Sequence, residues 1–135
     1  MNYYGAKELA ASFRTVRKNT LQIAEEIPED KYSFRVAEGT RSVGELLAHI
    51  ALGWKFQEQI NFIQKCTTLE GFDFFALMGP LMAEQAKPRT KAEVIALLKS
   101  EGEKFATGLE GLSDDFLGQS VIMPQGAEPA KRTRF

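Results

Sequence analysis

Few residues of this chain have the chemistry of a functional group, and one stands apart. His49 is the only histidine among 135 residues. It lies within residues 41–65, RSVGELLAHIALGWKFQEQINFIQK, the strongest helix signal in the sequence. At about 100° per residue it falls on the flank of a stripe formed by Val43, Leu46, Leu47, Ile50 and Trp54. Phe56 and Ile60 share its side, and Gly53 leaves space beside it one turn later. An imidazole so placed is either a structural hydrogen-bonder or a ligand. Transition metals are held by three or more protein ligands as a rule. This chain would complete such a site only with carboxylates or with histidines from another chain, so His49 is its one candidate metal ligand.

The other reactive side chains point elsewhere. Cys66 is alone, which excludes an internal disulfide framework and a thiolate cluster. Its only charged neighbour is Lys65, so an inert thiol is expected. Glu45 sits one turn before His49 and has the position to orient its ring, but it is also the acid of a capping box with Ser42. The cap is the expected role. The pairs Glu25-Glu26, Glu29-Asp30 and Asp114-Asp115 fall at helix ends or turns and read as solvated. There is no glycine-rich phosphate loop, no GxSxG, no CxxC and no histidine pair. Lys131, Arg132 and Arg134 read as a frayed basic terminus.

Composition sets the frame. A chain of 135 residues with 44% hydrophobic and 26% charged residues is one globular domain. Its net charge of −1, with signs interspersed, gives no reason to expect nucleic acid or an anionic membrane as partner. No apolar run approaches the roughly 18 residues of a membrane span, and the first fifteen residues do not read as a secretory signal. The expectation is a cytoplasmic protein.

The elements that would position His49 are helices. The first spans about residues 5–26, with a seam at Leu9, Phe13, Val16, Thr20, Ile23 and Ile27. Arg14, Arg17, Lys18 and Glu25 fall off that seam and are expected in solvent. Pro28 ends the helix, and Tyr32, Phe34 and Val36 follow in a connection whose aromatics seal one end of the core. After the His49 helix, Asp73 caps a short helix broken or kinked at Gly79-Pro80, a crossover covering the core. Thr90 and Glu93 form a second capping box, opening a helix with Ile95, Leu98, Gly102, Phe105, Leu109 and Leu112 on one stripe. Gly111 is the expected left-handed C-cap. Ser113 starts a further turn that places Phe116 and Leu117 inward, and Val121, Ile122 and Met123 form a brief extended run. The result is an all-α bundle of three long helices, with a fourth missing or only begun at Arg132-Thr133-Arg134-Phe135.

The run Ser42-Val43-Gly44-Glu45-Leu46-Leu47-Ala48-His49-Ile50-Ala51 resembles the second-helix signature of the DinB/YfiT-like family. Tyr32-Ser33-Phe34-Arg35, Leu112-Ser113-Asp114-Asp115-Phe116 and Met123-Pro124-Gln125-Gly126 resemble neighbouring parts of the same family. The resemblance implies an up-down-down-up four-helix bundle, often a homodimer. It implies a divalent metal, zinc or nickel, held by one histidine on the second helix and an HxxxH pair on the fourth. It also implies, for some members, transferase chemistry with a low-molecular-weight thiol such as bacillithiol or mycothiol on a small-molecule substrate. His49 matches the first ligand position, and the other two have no counterpart here. Two functions follow as expectations: a metal-dependent enzyme whose further ligands come from sequence beyond this chain, or a non-catalytic bundle acting through self-association.

Overall fold

A computed structural model describes residues 4–134. Helix α1 (Ala6–Glu26) begins at Gly5, whose N–H donates to Glu8 Oε2 at 2.9 Å. It stops at Ile27, because Pro28 has no N–H and holds an extended backbone. Its last carbonyls would be orphaned without partners. The Tyr32 hydroxyl donates to Ala24 O at 2.6 Å, and Lys91 Nζ donates to Glu25 O and Ile27 O at 2.6 and 2.7 Å. Of the three side chains expected to seal this end, Tyr32 does so, while Phe34 and Val36 are exposed.

The predicted His49 helix is present but not uniform. It comprises α2 (Val43–Leu52), a turn at Gly53-Trp54, α3 (Lys55–Gln57) and a π-helical piece, Glu58–Ile63. Lys65 ends it in the left-handed region with φ 49°. Helix α4 (Phe74–Gln85) starts on Asp73, whose carboxylate accepts from Ala76 N at 2.9 Å. It runs through Gly79-Pro80 as one helix rather than breaking there. Helix α5 (Lys91–Glu110) carries the predicted capping box, with Thr90 N–H on Glu93 Oε2 at 2.7 Å. Gly111 closes it as expected, but in right-handed geometry, with φ −81°. Helix α6 (Asp114–Leu117) follows, and Leu117 is buried as predicted.

Beyond α6 the chain forms strands β1 (Ser120–Ile122) and β2 (Lys131–Thr133), paired antiparallel with Val121 opposite Arg132. Arg132 and Thr133, where the sequence places the start of a fourth helix, belong to β2, and no helix follows Leu117 among the described residues. The terminus is also not frayed over Arg134. Its guanidinium donates to Asn61 Oδ1, Gln119 Oε1 and the carbonyls of Lys65 and Cys66, and lies 4.2 Å from the Phe116 ring. Arg134 thereby clasps the hairpin onto the end of the π-helical piece. Phe135 lies outside the described residues.

Three helices build the core: α1 packs on α5, α5 on α2, and α4 covers the other side of α2. Ala24, Tyr32, Leu47, Ala51, Val94, Ile95 and Leu98 form its centre. Ile60, Leu69 and Val121 form a second cluster that fastens the hairpin. No helix among the described residues is long and apolar enough to cross a membrane.

The first helix corrects the seam read from sequence. Its buried face is Ala6, Ala10, Arg17 and Ala24, whereas Val16 and Ile23 are 63% and 56% exposed. The reason is close packing. Ala6, Ala10 and Ala24 are buried on α1, and Gly102 and Ala106 are buried on α5, the helix it packs against. Of the large apolar residues of the seam, Val16 and Ile23 are turned outward, while Phe13 meets Phe105 of α5 and Ile27 packs against the core. Arg17, expected in solvent, is 6% exposed. It lies against Gly102, where a Cβ would come within 2.9 Å of its side chain, so the missing side chain on α5 makes its channel.

Candidate functional site

His49 is carried by a helix whose start is doubly tied. The Ser42 hydroxyl accepts from Glu45 N at 3.2 Å, and Glu45 Oε2 accepts from Ser42 N at 2.8 Å. Glu45 also takes both arms of Arg35, at 2.7 and 2.8 Å. The Arg35 guanidinium and then the Ser42 N–H hold its carboxyl below the ordinary glutamate value. Glu45 therefore serves the cap, as the sequence suggests, and has no hydrogen bond to His49.

The partner of His49 comes from α4. His49 Nδ1 lies 2.9 Å from Gln85 Oε1, across 36 positions of sequence. An amide oxygen only accepts, so a hydrogen bond between the two is donated by Nδ1–H. His49 is half-buried, and Gln85 is 5% exposed. A cleft of about 670 Å³ opens beside Gln85, bordered by Val36, Thr40, Glu45, Leu46 and Met82.

Turning α2 about its axis shows what surrounds the ring. Leu47 and Ala51 enter the core, while Leu46 and Gly53 are exposed on the side that His49 borders. Further exposed apolar residues are Trp54 and Ile63 later in the same segment and Val16 and Ile23 on α1. A separate groove of about 560 Å³ near the hairpin is lined by Phe13, Val16, Trp54, Phe62, Phe105 and Phe116. Its wall is rigid: Phe13, Trp54 and Phe105 meet with centroids 4.9–5.3 Å apart, and Phe62 stacks on Phe105 at 5.3 Å.

A buried charge lies between these helices. Arg17 Nη2 donates weakly to Ile50 O on α2, at 3.3 Å. Its Nη1 is buried with no acceptor among the described residues, and the guanidinium sits 5.3 Å from the Phe13 ring. Burial lowers its pKa. The buried carboxylates do not face it. Glu58 pairs with Lys104 at 3.7 Å, and Glu101 with Lys55 at 2.9 Å.

Among the described residues no group of three or more His, Cys, Asp or Glu side chains is placed to hold a metal ion. An imidazole with a bare Nε2 suits one position of such a site. Cys66 is half-buried, and its thiol donates to Gln64 Oε1 at 3.4 Å. The acidic pairs at helix ends are solvent-facing, as expected.

Sequence reasoning missed Gln85 and Arg17. Leu77, Leu81 and Gln85 recur every four residues, so the glutamine continues an inward stripe. Ala10, Arg17 and Ala24 recur every seven, placing the arginine on the alanine face. Both spacings are visible in the sequence, but neither polar residue scores as apolar.

The fold and the site together define an all-helical bundle protein with a single histidine preset on its second long helix. The chain matches the model of the DinB superfamily over residues 12–134, and it belongs to that family. No curated protein and no solved structure matches it.

Proposed function

We propose that this DinB-superfamily chain contributes one ligand, His49 Nε2, to a divalent-metal site, with zinc or nickel as the ion. The observation that carries the reading is the 2.9 Å hydrogen bond from His49 Nδ1–H to Gln85 Oε1. Metal-bound histidines characteristically donate their other ring N–H to such a partner. The remaining donors come from outside the described residues, on polypeptide that covers the open side of α1 and α2. A low-molecular-weight thiol suits this site, because coordination to such an ion deprotonates the sulfur, as transferase chemistry on a small-molecule substrate requires.

Titrating zinc alone into the protein tests the reading, with the ring nitrogen signals of His49 as readout. Binding that shifts the Nε2 signal, and that is lost in His49→Ala, is the expected result. Ring signals indifferent to zinc would overturn it.

A second reading is favoured by the exposure of Val16, Ile23, Leu46 and Ile63. In it the bundle is non-catalytic and works through self-association, as a homodimer that buries this apolar side. Sedimentation decides: a stable monomer at every concentration contradicts it.

A further inference from the structure

The geometry points to Gln85 as the positioning residue of His49: its side-chain oxygen, from a different helix, selects the tautomer with the proton on Nδ1 and leaves Nε2 as the ring's one free acceptor. A neutral imidazole exchanges between two tautomers, and a hydrogen bond to one nitrogen decides between them. A part-buried hydrogen bond of ordinary strength biases the pair by roughly fivefold to tenfold. The inference deepens the metal reading only in its consequence, that a divalent cation meets a lone pair at Nε2. The tautomer itself stands on the contact.

Three features make this contact directive. Gln85 is 5% exposed, so competition from water for its side chain is reduced. Its main chain is anchored at the end of α4. Arg89 Nη1 donates to Glu84 O at 2.8 Å, Arg89 Nη2 pairs with Glu84 Oε1 at 2.8 Å, and Ala86 N donates to Met82 O at 3.2 Å. The side chain is also neutral. A carboxylate at this place would draw a second proton onto the ring, and the nearest candidate on α2, Glu45, is already held by Arg35 and Ser42. The ring is thus oriented by an uncharged amide.

The experiment is nitrogen NMR of the ring at a pH where the imidazole is neutral. With one histidine in the chain, only one pair of ring signals is present. The expected wild-type spectrum shows the proton on Nδ1. In Gln85→Leu, which removes the acceptor at similar volume, the proton redistributes towards Nε2. Gln85→Glu, which keeps an oxygen in place, retains it on Nδ1. Chemical shifts of the methyl groups of Leu47 and Leu98 check that each variant keeps its core. A wild-type ring protonated on Nε2, or a Gln85→Leu ring unchanged from wild type, overturns the inference. Zinc titration of the same samples keeps the two proposals apart. A tenfold to hundredfold loss of zinc affinity in Gln85→Leu is expected if His49 is a ligand. If the wild type takes no zinc while its ring still follows Gln85, the metal reading fails and the positioning role stands.

Discussion

At the scale of residues, the two informative side chains are a histidine whose partner comes from another helix and an arginine with almost no partner. Arg17 is the costlier of the two. Burying a guanidinium removes its hydration, and one weak bond to Ile50 O with a ring contact to Phe13 returns little of that. Arg17→Met, which keeps an unbranched side chain in the channel beside Gly102, is expected to be neutral or stabilising by up to about 2 kcal/mol. Urea denaturation measures it. A loss beyond roughly 1 kcal/mol would show that the guanidinium finds more compensation than these contacts provide. His49 was visible as soon as the sequence was read, whereas its role was not. The ring's chemistry depends on Gln85, and no local pattern around residue 49 names residue 85.

Elements were the most legible level, and the capping boxes the most legible part of them. A hydroxyl and a glutamate three residues apart act within one turn, so no tertiary contact is needed to read Ser42-Glu45 or Thr90-Glu93. Glu45 adds an ion pair with Arg35, which ties the 35–41 loop to the start of α2. Because its folded pKa is lowered, its contribution is fully present above the ordinary value of 4.5 and is lost as pH falls through the lower folded value. Wild type is therefore expected to exceed Glu45→Gln in stability near neutral pH, with the gap closing in acid. Denaturation curves at a series of pH values check this, and a gap that widens in acid would reverse the sign. Helix α1 shows where element reading fails. Its length and end follow from periodicity and Pro28, but its contact face follows from Ala6, Ala10 and Ala24, small residues that give a weak apolar signal. Periodicity therefore finds Phe13, which does meet Phe105 of α5, but it misses the buried alanines and places Val16 and Ile23 inward when both are exposed.

For the whole molecule the consequence is an open side. Val16 and Ile23 on α1 and Leu46 on α2, one turn before His49, are all apolar and all exposed. Covering Val16 and Ile23 is worth roughly 1.5–3 kcal/mol for each side chain fully buried, which favours association with another copy or another polypeptide. If copies of this chain cover one another, Val16→Glu combined with Ile23→Glu is expected to convert a dimer into monomers in sedimentation. The circular dichroism should stay unchanged, because neither side chain belongs to the core. A dimer that survives both substitutions would place the interface elsewhere.

The sequence by itself determined the all-helical class, the family resemblance, both capping boxes, the α5 stripe and the singularity of His49. All of these rest on local spacing or on a count. Only the tertiary structure decided that Gln85 holds the histidine, that Arg17 is buried, that the tail is a clasped hairpin, and that Val16 and Ile23 of the α1 seam face outward. Each of those depends on which faces of separate helices meet, and periodicity along one helix carries no information about its neighbour.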